Sequence, residues 1–167
     1  EIKKTSEILK KNKKNFTLMH CVSIYPTTLG SAHLNRIKFL HNLSDNVGLS
    51  EHSNPQDTGL KVSIASLLFK PKYIERHFTI LDKSKTKDGP VSLNPNELKE
   101  LVNFTKKSPS EIEEYIATNI KNLDQLMGSQ TRELSQEEKL NRDYYRGRFA
   151  SLGLNGEYIY NWEDKII

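Results

Sequence analysis

Cysteine is almost absent from this 167-residue sequence. With Cys21 alone no disulfide can form within the chain, and a reducing, cytoplasmic setting is expected. Long apolar runs are lacking too, as is a signal-like opening, so no membrane partner is expected. There is no Walker loop, no dinucleotide glycine fingerprint and no CxxC pair, which removes the commonest nucleotide and structural zinc sites. No internal repeat or low-complexity tract occurs. Blocks of one charge are scarce: the net charge is +4, but Lys and Glu are interspersed. The one dense basic run, Lys10-Lys11-Asn12-Lys13-Lys14, has no aromatic residues within it on which bases could stack. It reads as a solvated helix C-terminus, where the macrodipole favours cations, and no nucleic-acid partner is expected. The chain opens on Glu1 and closes on Ile166-Ile167, and both ends read as those of an internal piece.

What is present is an alternation of strand and helix. Residues 1–14 have amphipathic helical spacing, with Ile2, Ile8 and Leu9 along one side. Phe16 to Val22 is a nearly continuous apolar run, as in a strand buried on both faces. Tyr25 to Gly30 is punctuated as a loop, and Leu34, Ile37, Leu40 and Leu43 restore a helical period. Asn46 to Ser50 predicts a second strand, and Asp57 or Thr58 can cap a helix running to about Phe69. Lys72 to Thr79 predicts a third strand. This rhythm predicts an α/β fold with parallel strands and crossover helices, and fits open sheets and closed barrels alike. Beyond it, Asp88-Gly89-Pro90 forms a turn, and Asn94-Pro95 and Ser108-Pro109 open two helices. Residues 133–146 are expected to be helical in part, and 153–162 to hold short β structure.

Ligands of parallel α/β folds bind at the carboxyl ends of strands, where three polar clusters fall: His20 to Tyr25, Ser50-Glu51-His52 and Glu75-Arg76-His77. His52 and His77 stand 25 positions apart (77 − 52), about one βαβ unit. Neighbouring parallel strands would bring the two imidazoles together, and such a pair suits a divalent transition ion. A lone histidine near a strand end is more often a hydrogen-bonded structural residue. His20 and Cys21 read as core packing, with an inert thiol, and His33 and His41 as incidental residues on helical surface. Period two puts Glu75 on the face of His77, a face that holds either a site or an internal ion pair. Arg76 then meets a helix or solvent.

The segment His20-Cys21-Val22-Ser23-Ile24-Tyr25-Pro26-Thr27 resembles the "HCVSxYPT" stretch of sialic acid synthases. Gly48 to His52, Ile74 to Thr79 and Ser92 to Leu98 resemble three further family segments in the right order, and Glu137 to Arg146 is similar to the stretch leaving the barrel. The resemblance implies a partial TIM (β/α)8 barrel, strands six to eight with flanking helices, over residues 1–130. It implies a helical connector over 131–152 and, over 153–167, the start of a linker to an antifreeze-like domain. It implies condensation of phosphoenolpyruvate with an N-acetylhexosamine such as N-acetylmannosamine, with phosphate release, in a domain-swapped homodimer. By the same resemblance His52 and His77 hold a divalent metal, Mn²⁺ or Mg²⁺. Ser23 and Ser50 hold phosphoenolpyruvate, and Tyr25, Glu75 and Asp88 lie near the sugar, with Glu75 and Tyr25 as catalytic residues. Asp88 falls 11 residues after His77 (88 − 77), the family offset, although Glu51 stands where Asp is usual. By itself the piece is expected to be inactive. The alternative is a non-catalytic remnant of the barrel that binds a sugar phosphate or a partner.

Overall fold

The computed structural model describes residues 1–146, 150–152 and 154–160, in two compact units that divide after Arg132. The first unit is built on three short strands, β1 (Leu18–Cys21), β2 (Val47–Glu51) and β3 (Tyr73–Arg76), paired in parallel in that order. Helix α1 (Ile2–Lys11) precedes them, α2 (Arg36–His41) joins β1 to β2, and α3 (Pro55–Thr58) and α4 (Lys61–Ser66) join β2 to β3. After β3 come two 3-10 turns, Lys83–Lys85 and Gly89–Val91, and then α5 (Pro95–Phe104), α6 (Pro109–Asn119) and α7 (Leu123–Met127). The expected α/β architecture with parallel strands is what the chain adopts.

The register assigns each side chain to a face. Leu18, His20, Val47, Leu49 and Glu51 are buried, and Leu18, Val47 and Leu49 share one core with Ile37 and Leu40 of α2 and Val62, Ile64 and Ala65 of α4. The other face carries Met19, Gly48 and Tyr73 in one row and Cys21, Ser50 and Glu75 in the next. It is largely open: Cys21, Tyr73 and Glu75 are exposed. The expectation that β1 is buried on both faces is therefore corrected, since its burial alternates with the pleat and only one face meets helices. Gly48 lies under the Met19 side chain. A Cβ there would stand 2.4 Å from the Met19 sulfur and 2.8 Å from the Tyr73 carbonyl oxygen.

Glycine and cap chemistry set the helix bounds. Asn54, and neither Asp57 nor Thr58, caps the helix after β2: its side chain accepts from Gln56 N–H, with Pro55 at the first helical position. Gly59, at φ 60°, then separates α3 from α4, so the single expected helix is two. Asn94 with Glu97, and Ser108 with Glu111, close reciprocal capping boxes where Asn-Pro and Ser-Pro predict helix starts. On α1, Ile2 and Ile8 are exposed and only Ser6 is buried, donating to the Leu43 carbonyl at 2.7 Å. Among the described residues no helix is long and apolar enough to cross a membrane.

The second unit holds α8 (Gln136–Arg146) and an antiparallel pair, β4 (Ala150–Leu152) with β5 (Tyr158–Tyr160). Ser135 and Glu138 cap α8 reciprocally. Residues 150–152, within the stretch expected as a helical connector, are strand because they pair with 158–160. Of the expected linker, Gly153 and residues 161–167 lie outside the described residues.

Glu51 and Arg76, adjacent in register, point away from the open face and form a buried ion pair, with side chains 3% and 2% exposed. Burial lowers the Arg76 pKa to about 10, so the guanidinium stays cationic at neutral pH. Removing one member of such a pair leaves a charge out of water, at a cost of about 3–5 kcal/mol. Arg76→Met is therefore expected to lower unfolding stability by that amount, measured by urea denaturation. A loss no larger than that of an exposed charge substitution would contradict this.

His20 is packed in the core as expected, with Nε2 2.7 Å from the Ala32 carbonyl oxygen. Burial chiefly lowers its pKa below the ordinary 6.5, so the folded state holds it neutral while the unfolded chain takes up a proton near that pH. This contribution is complete above pH 6.5 and is lost as acid is added. Urea midpoints are expected to fall on acidification below about pH 6.5, and to fall less steeply in His20→Gln. Parallel slopes for the two proteins would count against it.

Candidate active site

Period two along the strands builds the site in layers. Cys21, Ser50 and Glu75 share one row across β1, β2 and β3. Two residues further along, past the strand ends, come Ser23, His52 and His77 on the same side. The Ser50 hydroxyl donates to Glu75 Oε1 at 2.6 Å and lies 3.4 Å from His52 Nε2. The imidazole centroids of His52 and His77 are 5.2 Å apart, with planes at 63°. Tyr25 lies flat on His52, with centroids at 4.0 Å and 22° between planes, and edge-on to His77 at 5.7 Å.

Backbone bonds hold these groups in place. The Thr27 N–H donates to the His52 carbonyl at 2.9 Å, and the Thr27 hydroxyl donates to the Ile24 carbonyl at 2.8 Å. The loop carrying Tyr25 is thereby fastened to the residue that Tyr25 covers. On the far side, Leu93 N–H donates to the His77 carbonyl at 2.8 Å, and the Phe78–Leu93 bridge extends the parallel pairing beyond β3. Asp88 Oδ2 lies 3.8 Å from His77 Nδ1, and the Ser92 hydroxyl donates to the Asp88 carbonyl at 2.8 Å.

His52 is 4% exposed, and its pKa falls to about 4, first through desolvation and then through the neighbouring His77. It is therefore neutral near pH 7, the form in which an imidazole nitrogen is a metal ligand. Among the described residues no group of three His, Cys, Asp or Glu side chains is placed to hold an ion by itself. His52 and His77 together fit two positions of a shared site.

The structure brings Tyr25, Ser50, His52, Glu75 and His77 into one space and sets Asp88 beside His77. Ser23 joins them through Cys21, whose sulfur lies 3.6 Å from the Ser23 hydroxyl. Cys21 itself was not expected here: it is exposed rather than in the core, and its sulfur is 4.0 Å from His52 Nδ1. Alternation with buried His20 was the available signal. The internal ion pair uses Arg76 and the opposite face, leaving the Glu75 face to the site. His41, at the end of α2, has Nε2 3.2 Å from the Phe69 carbonyl oxygen. His33 lies ahead of α2 at φ 44°, where its Nδ1 accepts from the Ser129 N–H at 3.3 Å.

A model of the NeuB family matches residues 1–121. The N-acetylneuraminate-9-phosphate synthase of Drosophila melanogaster is 37% identical over 89 residues, covering 53% of this chain and 23% of that protein. The N,N'-diacetyllegionaminic acid synthase of Campylobacter jejuni is 29% identical over 153 residues, covering 87% and 39%. The crystal structure of the spore coat polysaccharide biosynthesis protein spsE of Bacillus subtilis aligns with a TM-score of 0.66 at 26% identity, covering 84% of this chain and 39% of that one. The N-acetylneuraminic acid synthetase of Leptospira borgpetersenii, in complex with citrate, aligns at 0.56 with 27% identity, covering 84% and 43%. The chain thus spans about a quarter to two-fifths of the length of these relatives. With the family model matched over most of its length, and with relatives named as sialic acid-type synthases sharing its fold, this chain belongs to the NeuB family.

Proposed function

We propose that this chain carries one wall of the active site of a nonulosonate synthase. The whole enzyme would condense phosphoenolpyruvate with an N-acetylated amino sugar such as N-acetylmannosamine. The observation that carries the reading is the convergence of His52, His77, Ser50, Glu75 and Tyr25 over the carboxyl ends of adjoining parallel strands. The uncovered sheet face supports it as well. All-parallel sheets are normally covered on both faces, whereas here one face is open and β1 has no strand on its outer side among the described residues. Strands six to eight of a (β/α)8 barrel have this form when considered apart from the other five.

His52 and His77 would hold a divalent ion. Their nitrogen donors favour Mn²⁺ over Mg²⁺, which prefers oxygen. Bound there, the ion would act as a Lewis acid toward the aldehyde oxygen of the open-chain sugar. Asp88 would steady the His77 ring from its Nδ1 side. Ser50, fixed by its bond to Glu75, and Ser23 present hydroxyls for phosphoenolpyruvate. Tyr25 shields His52 from water and, with Glu75, borders the sugar. In the reaction, C3 of phosphoenolpyruvate bonds to the aldehyde carbon, water adds at C2, and phosphate leaves.

The test is a Mn²⁺ titration of the chain, followed by the paramagnetic resonance signal of free Mn²⁺. His77→Ala is expected to weaken binding by at least about tenfold with the far-ultraviolet dichroism unchanged. In the whole protein, a chelator should abolish synthase turnover and Mn²⁺ restore it. If neither chelator nor substitution alters binding or turnover, the histidines are structural. Sugar-phosphate binding without turnover would favour the non-catalytic remnant.

A further inference from the structure

The residue immediately before each site histidine belongs to one ion pair. Glu51 precedes His52, and Arg76 precedes His77. Being one residue apart, they point to opposite sides of the sheet, the pair toward the helices and the imidazoles toward the site. We propose that the Glu51–Arg76 pair sets the spacing between His52 and His77, and that Arg76 is a positioning residue for the site.

The bonds around the pair explain how. Arg76 Nη2 donates to the Ser53 carbonyl at 3.1 Å and to the Val91 carbonyl at 3.3 Å, and Nη1 donates to the Ser63 hydroxyl at 3.2 Å. Glu51 accepts from the Ser53 N–H and, at 3.0 Å, from the Ser63 hydroxyl. The segment 51–53 is therefore gripped on both sides of His52. Val91 lies three residues after Asp88, within the turn that carries it, and two before Leu93, which holds the His77 carbonyl. One guanidinium thus ties down the backbone around both imidazoles and the turn bearing Asp88, without touching any of the three side chains. Ser63 adds α4 to the same junction, so the strand tops are referred to the helix layer as well as to each other. Arg76 Nε has no partner, so the side chain is committed entirely through its two terminal nitrogens.

This inference rests on the reading above only in its consequence for metal binding. The geometric claim is tested apart from it, by nuclear Overhauser contacts between the His52, His77 and Tyr25 rings. Arg76→Met is the direct variant. Because it can lose too much stability to fold, the deciding variant is Glu51→Leu with Arg76→Met, since exchanging a buried pair for apolar residues is commonly neutral or stabilising. Ile37→Ala, a core truncation in α2, is the control for destabilisation alone. The double variant is expected to fold, to lose the His52–His77 contact severalfold in intensity, and to bind Mn²⁺ about 10- to 100-fold more weakly. Arg76→Lys should recover part of both, and Ile37→Ala should keep both. A folded double variant with wild-type ring contacts overturns the proposal, as does equal loss in Ile37→Ala. If the wild-type chain binds no Mn²⁺, the metal reading fails while the ring contacts still decide the positioning role.

Discussion

A carboxylate and a guanidinium withdrawn from water together need hydrogen-bonding partners, and in this molecule that need draws two strands, a helix and two loops to one point. Arg76 comes from β3, Glu51 from the end of β2, Ser63 from α4, and the carbonyls of Ser53 and Val91 from the loops that follow. Attraction across the pair would not by itself repay desolvation, since buried ion pairs are weak sources of net stability. What the pair supplies is definition: the partners of a buried charge cannot drift without exposing an unpaired group. The loops at the strand tops, which would otherwise be the freest parts of the fold, are fixed by the helix side of the sheet.

The sheet divides the labour between its faces. On one side Leu18, Val47 and Leu49 meet the apolar stripes of α2 and α4, and this burial supplies the hydrophobic stabilisation. On the other side a row of Cys21, Ser50 and Glu75 leads to His52 and His77, with Tyr25 folded over them. Residues one apart therefore serve opposite ends: His20 is a core residue while Cys21 borders the site, and Arg76 braces while Glu75 lines. A shift of one residue in register would exchange the two sets, so the apolar alternation that packs the helices also places the polar residues.

Much of this could be read from the sequence where a local signal was unambiguous. Asn94-Pro95 and Ser108-Pro109 gave two helix starts because cap and proline act on their own backbone. Asn54-Pro55 carries the same signal by the same mechanism, and it outranks Asp57 and Thr58, which cap nothing here. The face assignment of Glu75 and His77 followed from period two alone. The ion pair was less legible. That Glu51 and Arg76 stand opposite each other depends on the register of β2 against β3, which no local pattern encodes. Cys21 differs from the pair: its apolar neighbours suggest a core position, but alternation with His20 along β1 puts it on the open face. Helix α1 has the amphipathic spacing read from the sequence, yet of its apolar side Ile2 and Ile8 stand exposed.

Below the site, Gly48 and the Met19 side chain occupy what is in effect a single side-chain volume shared by two strands. Substitution at the two positions is therefore not independent. A methyl group at 48 could be admitted only if residue 19 became smaller or took another rotamer. Even then the new methyl would meet the Tyr73 carbonyl oxygen, which no change of side chain can remove. Relief would have to come from β3 moving away from β2, and that strand carries Glu75 and leads directly to His77. The permitted size of a residue two rows beneath the imidazoles is thus bounded by how far their two strands can part.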